Sequence, residues 1–137
     1  KRHTMKAQLL ISLETQVIYG ISCDKGKTHD FKLFKNSNLK IPKETKLLAD
    51  LGYQGIKDIH TNSEIPIKKS KGKKLTKIQK KYNHLLSKKR ILVENIIRRC
   101  KIFRIVKDVY RGKHKNHGKT WNLIAGLVNF RYCGVLV

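Results

Sequence analysis

The chain has 137 residues, of which 32 are Lys or Arg and 9 are Asp or Glu, so its formal net charge is +23. This length fits one domain and excludes a repeat array, and an apolar content of 39% excludes a disordered basic tail. A surface this basic attracts polyanions, of which nucleic acid is the commonest. No apolar run is long enough to span a membrane and no secretory signal is visible, so we expect a cytoplasmic protein with no membrane partner.

The first third of the chain predicts a hairpin and a short helix. Two runs rich in Ile, Leu and Val, residues 4–13 and 16–23, have the composition of paired strands. Turn residues follow them, and Thr28 is placed to cap a helix over residues 29–36. The chain therefore begins with β structure and continues into its first helix.

The rest of the chain predicts short strands followed by long helices. Residues 46–50 and 65–68 read as short strands, and a helical period runs from about residue 75 to about residue 110. A last helix over residues 120–132 places Trp121 on an apolar face, where it belongs to the core. Strands followed by helices indicate a mixed α/β layer, with a sheet covered by the late helices.

The few acidic residues are informative in so basic a chain, and Asp50 is the first of two that stand out. It ends an apolar strand and precedes a turn-prone stretch, residues 51–55. Open α/β sheets place ligands and catalytic groups beyond the carboxyl ends of their strands. A plainer interpretation is that Asp50 only begins the turn, and both interpretations stay open.

The second informative acid is Glu94, in the middle of the long predicted helix. The arc opposite the apolar face of that helix carries Arg90, Glu94, Arg98 and Lys101. Glu94 either forms an ordinary surface network with Arg90 and Arg98, or it binds a metal among cations that hold phosphates.

Two carboxylates that converge inside a basic cleft are what two-metal phosphoryl transfer requires. Mg²⁺ or Mn²⁺ prefer oxygen ligands and stabilise both the attacking and the leaving oxygen. Such centres need at least three carboxylates as a rule. The number of carboxylates that converge at the site therefore tests this interpretation. If Asp50 and Glu94 lie more than about 10 Å apart, a shared site becomes untenable.

Four segments in order resemble the DDE-type transposases of bacterial insertion sequences. They are residues 26–35, residues 49–55 (Ala-Asp-Leu-Gly-Tyr-Gln-Gly), the spacing Arg90-x3-Glu94-x6-Lys101, and residues 122–130. The resemblance implies a ribonuclease H-like mixed sheet with late helices packed on it. It also implies metal-dependent DNA cleavage and strand transfer, DNA element ends and target as partners, association with the bacterial nucleoid, and compatibility with a homodimer.

The resemblance also implies roles for individual residues. Asp50 matches the second Asp of the family and Glu94 its Glu, so both are predicted to be catalytic ligands of Mg²⁺ or Mn²⁺. The predicted DNA-binding residues are Tyr53, Gln54, Lys68, Lys69, Lys73, Lys74, Arg90, Arg98 and Lys101. For Tyr53, a DNA contact and simple packing of the turn are equally favoured.

One expected carboxylate is missing, because the family's first Asp lies on a strand upstream of the segment that resembles residues 1–13. We therefore expect residues 1–137 to be a partial catalytic domain without its first strand, and an inactive DNA-binding fragment. The hairpin then pairs with the Asp50 strand, leaves a gap, or finds a partner chain. The alternative is a small basic RNA-binding protein of ribosomal type, which has no reason to bring Asp50 and Glu94 together.

Overall fold

The amino-terminal hairpin forms as predicted in a computed structural model of the chain, which describes residues 4–134. Strand β1 (Met5–Ile11) pairs antiparallel with strand β2 (Ile18–Lys25), and the register shifts once, between Leu10 and Ile11. Gln16 turns the chain with a left-handed backbone, at a φ of 59°. The predicted break between two apolar runs is therefore a real turn.

Helix α1 (Asp30–Asn36) follows the hairpin, and its start differs from the prediction. Thr28 does not cap it, because the Thr28 hydroxyl donates to Oδ2 of Asp24 over 2.9 Å. The same Asp24 carboxylate accepts the Lys25 backbone N–H over 2.7 Å. Thr28 thus belongs to the turn before the helix, and His29 is the N-cap residue, without a side-chain cap bond.

A second, smaller sheet lies farther along the chain. Strands β3 (Leu47–Leu48) and β4 (Ser63–Glu64) pair in parallel. The predicted strand over residues 65–68 is wrong, since pairing ends at Glu64. Beyond it, both backbone groups of Ile67 bond to the side chain of Asn83, at 2.8 and 3.1 Å, so a helix side chain replaces a strand partner.

The two sheets are separate within residues 4–134, each with two strands. The architecture is mixed α/β, as predicted, but one continuous mixed sheet does not form in this part of the chain. Of the three expected outcomes for the hairpin, pairing with the Asp50 strand does not occur among residues 4–134, and the other two stay predictions. Helix α1 contacts both the hairpin and the turn after Asp50, so a helix connects the regions that the prediction joined by strand pairing.

Helix α2 (Lys77–Cys100) begins with a capping box, in which Thr76 and Gln79 satisfy each other's backbone N–H groups. The prediction of one helical segment to about residue 110 is wrong, because α2 ends at Cys100. The chain turns there and forms the short helix α3 (Arg104–Lys107). The turn lets the apolar side chains around α3 pack against the core instead of continuing along the axis of α2.

Helix α4 (His117–Cys133) completes the core between the hairpin and α2. Seven buried side chains form the core cluster: Ile18, Ile96, Cys100, Trp121, Ile124, Ala125 and Val128. The predicted core position of Trp121 is confirmed. The buried Asn129 amide accepts the Ile18 N–H over 2.9 Å and donates to the Ile18 carbonyl over 3.0 Å, which holds α4 against β2. None of the helices described is long and apolar enough to cross a membrane.

Candidate functional site

Asp50 follows β3 at the point where the chain turns away from the small sheet. Its carboxylate accepts the Leu51 N–H over 2.7 Å and caps a 3-10 turn over Leu51–Tyr53. The structure therefore confirms that Asp50 begins a turn. The turn also fixes where the carboxylate points, because capping restrains the side chain at the end of the strand.

Helix α2 supplies the other two charged groups of the site. Arg90 and Glu94 lie one turn apart on the exposed face of α2, with Nη2 of Arg90 3.8 Å from Oε1 of Glu94. The opposite face of the same helix buries Ile96 and Cys100 completely. Burial of that face fixes the rotation of α2 about its axis and so directs Glu94 away from the core.

The guanidinium of Arg90 joins the two predicted carboxylates. Its Nη1 lies 3.2 Å from Oδ1 of Asp50, while its Nη2 contacts Glu94. Because the two nitrogens belong to one planar group, the contacting oxygens of Asp50 and Glu94 lie within about 9 Å of each other. The two acids therefore meet the distance limit set from the sequence.

These ion pairs stabilise the fold only weakly. The side chains of Arg90, Asp50 and Glu94 are 51%, 49% and 58% exposed. Pairs as exposed as these contribute about 0.2–1 kcal/mol at best. The arrangement thus positions two carboxylates around one cation and does little to hold the protein together.

A third carboxylate lies next to the Asp50 turn but belongs to a different pair. Asp30 sits against Gly52, where an added Cβ would lie 3.2 Å from Oδ2 of Asp30. The Asp30 Oδ1 atom is 2.8 Å from Nζ of Lys6, and Lys6 also donates to the Thr28 carbonyl over 2.9 Å. The turn that carries Asp50 is therefore supported from β1 through α1.

Tyr53 ends this turn and packs against α1. Its ring meets Phe34 edge to face, with centroids 6.3 Å apart. Burial raises the pKa of the Tyr53 hydroxyl to about 12, and the negative charges of Asp30 and Asp50 add to the shift. The structure thus gives Tyr53 a packing role and a neutral hydroxyl, and a DNA contact by that hydroxyl stays a prediction.

The two carboxylates fit a hard divalent cation in type but not in number. Carboxylate oxygens are the ligands that Mg²⁺ and Mn²⁺ prefer. However, residues 4–134 contain no group of three or more His, Cys, Asp or Glu side chains placed to hold a metal ion. Among the described residues, Asp50 and Glu94 therefore form a pair of carboxylates joined by Arg90, and not a complete two-ion centre.

The predicted DNA-binding residues are divided between the site and its surroundings. Arg90 faces the two carboxylates, and in the described part of the chain Glu94 pairs with Arg90 and not with Arg98. Arg98 and Lys101 are exposed near the end of α2, and Gln54 is exposed just after the Asp50 turn. The lysines Lys68, Lys69, Lys73 and Lys74 are exposed in the segment that leads into α2.

Sequence reasoning missed the pair formed by Lys6 and Asp30. The acid was recognised as a first-turn residue of α1, which is a local feature. Its partner lies 24 residues earlier on β1, and no spacing rule links a strand residue to a helix start at that distance. Only the packing of α1 on the hairpin brings the two charges together.

Comparison of the sequence with known proteins shows which proteins this chain resembles. The family model described as DDE superfamily endonuclease matches residues 1–129. A probable transposase for insertion sequence element IS702 of Microchaete diplosiphon is 51% identical over 128 residues, which cover 93% of this chain and 46% of that protein. The chain thus spans about half the length of that relative. No solved structure matches it, and the comparisons give no support to the RNA-binding alternative.

Proposed function

Because the chain belongs to the DDE superfamily of endonucleases and resembles transposases of insertion sequences, we propose that it acts in DNA transposition. In this proposal it carries two of the acids of a metal-dependent centre for DNA cleavage and strand transfer. Asp50 and Glu94 are the metal-binding carboxylates, and a ribonuclease H-like arrangement of the full catalytic domain is part of the proposal.

One observation carries this proposal, namely the contact of both acids with Arg90. Asp50 follows a strand and Glu94 lies within a helix far along the chain, yet both reach the same guanidinium. A stable fold does not need this convergence, since exposed ion pairs contribute so little. A site for a divalent cation does need it, because its oxygen ligands must come from separate elements to surround the ion.

The bound ion would be Mg²⁺ or Mn²⁺, held by Asp50 and Glu94. When bound, such ions stabilise the charge on the attacking and leaving oxygens of a phosphodiester. The residues of this chain position the ligands: the Leu51 N–H orients the Asp50 carboxylate, and α2 orients Glu94. Arg90 limits repulsion between the two acids and offers a cation to a DNA phosphate nearby.

The basic surface around the pair is proposed to hold the DNA backbone. Lys68, Lys69, Lys73, Lys74, Arg98 and Lys101 are exposed and sequence-independent phosphate contacts suit them. We also propose that residues 1–137 bind DNA with little or no nuclease activity of their own. The support is that no third metal ligand joins Asp50 and Glu94 among residues 4–134. A homodimer and association with the nucleoid stay predictions.

The metal-binding part can be tested with Tb³⁺, a hard cation whose luminescence rises when a nearby tyrosine transfers energy to it. Tyr53 lies in the Asp50 turn and supplies that tyrosine. We expect Tb³⁺ emission that Mn²⁺ competes away, and a loss of at least several-fold in affinity in Asp50→Asn and in Glu94→Gln. Asp108→Asn is the matched control, since Asp108 is an exposed acid paired with Arg104 elsewhere. Equal losses in all three variants would contradict a defined site.

The activity part is tested by nicking of supercoiled plasmid in Mn²⁺. We expect residues 1–137 to produce no more nicked DNA than the Asp50→Asn variant, while both retard the plasmid in a gel. Turnover by the wild-type chain that Asp50→Asn abolishes would overturn the proposed inactivity and would leave the metal-binding part in place.

A further inference from the structure

The start of helix α1 is tied to the hairpin by a lysine. His29 is the N-cap residue of α1 and makes no side-chain cap bond. Lys6, on β1, donates from Nζ to the Thr28 carbonyl over 2.9 Å and to Oδ1 of Asp30 over 2.8 Å. These two acceptors lie on either side of the N-cap residue. One ammonium group therefore fixes the first turn of α1 against the hairpin.

Asp30 also lies against the turn that Asp50 begins. A Cβ added to Gly52 in this turn would lie only 3.2 Å from Oδ2 of Asp30. Any side chain at this position would push the turn away from α1 unless the Asp30 carboxylate moved. That carboxylate is restrained, because Lys6 holds its other oxygen. Gly52 thus lets the turn approach a carboxylate whose position is set from β1.

Two aromatic side chains of α1 extend the same contact. Phe34 meets the Tyr53 ring edge to face, with centroids 6.3 Å apart. Farther along the chain, a Cβ added to Gly55 would lie 3.3 Å from the Phe31 ring. Asp30, Phe31 and Phe34 occupy positions i, i+1 and i+4, which fall within one arc of about 100° on a helix. One side of α1 therefore contacts the Asp50 turn at successive points.

Stability alone does not account for the pair formed by Lys6 and Asp30. The two side chains are 32% and 46% exposed, and ion pairs as exposed as this one contribute little to the free energy of unfolding. The pair does fix the rotation and the position of α1, because it joins the first residue of that helix to a strand. The position of α1 in turn decides where the Asp50 turn can lie.

We propose that Lys6 and Asp30 are positioning residues for Asp50, because they hold the α1 surface on which the Asp50 turn rests. This inference rests on the proposed function only in taking Asp50 as a ligand of a divalent cation. Groups that orient a metal ligand from behind change the affinity for the metal without contacting it. The path runs from β1 through α1 to Asp50, whereas Arg90 reaches the same carboxylate from α2.

The first test compares the affinity for Tb³⁺ of Lys6→Met, Asp30→Asn and the double variant with that of wild-type residues 1–137. We expect each single variant to bind on the order of tenfold more weakly, which is the effect typical of groups that orient a metal ligand. The double variant should be no weaker than the weaker single variant, since both substitutions break one linkage. Lys6→Arg keeps a cation that can donate to both acceptors and should retain the wild-type affinity.

The sign of the Lys6→Met effect separates positioning from a simple effect of charge. If the two residues acted only as charges, loss of the Lys6 cation would tighten the binding of Tb³⁺, and loss of the Asp30 anion would weaken it. Tighter binding in Lys6→Met would therefore overturn the proposal. Glu64→Gln is the matched control, because it breaks a similarly exposed ion pair with Lys46 on the small sheet. It should leave the affinity for Tb³⁺ nearly unchanged.

A substitution that changes no charge tests the other side of the contact. Gly52→Ala places a methyl group against the restrained Asp30 carboxylate and should weaken the binding of Tb³⁺ as the Lys6 variant does. Gly126→Ala is the matched control, since a Cβ added to this residue of α4 meets no atom within 4 Å. Unchanged affinity in Gly52→Ala would contradict the close approach of the turn to α1.

Hydrogen exchange in the absence of metal measures the turn itself. The Tyr53 N–H donates to the Asp50 carbonyl over 3.0 Å, within the turn, and the Ala49 N–H donates to the Glu64 carbonyl over 3.0 Å, within the small sheet. In both the Lys6 and the Asp30 variants, exchange should become several-fold faster at Tyr53 and stay unchanged at Ala49. Equal acceleration at both amides would show a general loss of stability and would overturn the positioning role.

These outcomes are separable from those of the proposed metal site. If the wild-type chain binds no Tb³⁺ but exchange at Tyr53 responds to Lys6→Met, the metal proposal fails and Lys6 still positions the turn. If the wild-type chain binds Tb³⁺ and neither Lys6→Met nor Asp30→Asn changes the affinity, the positioning role fails alone.

Discussion

The two faces of the carboxyl-terminal part of helix α2 differ in what surrounds them. Near its carboxyl end, Ile96 and Cys100 are completely buried against α4 and the hairpin. On the opposite face of the same part of the helix, Arg90 and Glu94 are about half exposed and form ion pairs. One helix therefore serves both a dry core and a charged site, with opposite faces.

The groups that stabilise the fold and the groups of the candidate site are therefore separate in this chain. Burial of apolar surface stabilises the fold on one face of the helix, at about 25 cal/mol per Å². On the opposite face, Glu94 and the nearby Asp50 gain little from their exposed contacts. Because the buried face of α2 holds the helix in place, Arg90 and Glu94 on its exposed face are positioned without tight packing around them.

The largest expected effect comes from the core. Ile96→Ala removes a completely buried side chain and leaves a cavity, so the free energy of unfolding should fall by about 2–5 kcal/mol. Urea denaturation measures it. The matched control is Ile91→Ala on the exposed side of the same helix, which should change it by less than about 0.5 kcal/mol. Equal losses would contradict the separation of the two faces.

An intermediate effect is expected at His117, at the start of α4. Burial lowers the pKa of His117, and the nearby His114 lowers it further. The unfolded chain therefore takes up this proton at a higher pH than the folded chain does. Stability should be complete above the ordinary histidine pKa of 6.5 and should fall as the pH drops below it.

The variant His117→Phe keeps a ring against Tyr110, which meets His117 edge to face at 4.9 Å. It should lose less stability between about pH 7.5 and pH 5.5 than the wild type does. Urea denaturation at both pH values measures the difference. A wild type and variant with parallel pH dependence would show that His117 does not contribute to it.

The smallest expected effect on stability is at the site itself. Arg90→Gln should lower the free energy of unfolding by less than about 1 kcal/mol, and the deficit should shrink in high salt. The same variant should bind Tb³⁺ more tightly than the wild type, because the competing guanidinium is gone. Arg104→Gln is the control, because it breaks an exposed ion pair with Asp108. It should lower the free energy of unfolding by a similar amount and should leave the affinity for Tb³⁺ unchanged. A loss as large as that of Ile96→Ala would place Arg90 in the structural core.

The sequence predicted those features that depend on local periodicity. The polar face of α2 was assigned correctly, with Glu94 exposed on it, because a helix repeats every 3.6 residues wherever it packs. The turn at Asp50 was also visible, since its residues are turn formers. The resemblance named the same acid as a site residue, and its catalytic role stays a prediction.

Features that depend on a distant partner were not predicted. The strand over residues 65–68 is absent because Asn83, on a helix, takes the hydrogen bonds that a strand would have made. Helix α2 ends early because Phe103 finds more apolar contact by turning back to the core. Lys6 and Asp30 met only once α1 packed on the hairpin.

The basic charge, the order of the main elements and the family to which the chain belongs can all be read from the amino-acid sequence. Those properties are local or additive, so they can be predicted without knowledge of the fold. Tertiary packing, by contrast, brings Asp50 and Glu94 to one guanidinium and keeps the hairpin apart from the second sheet among residues 4–134. Each of these depends on which distant surfaces pack together, and that is decided by the burial of apolar area over the whole chain.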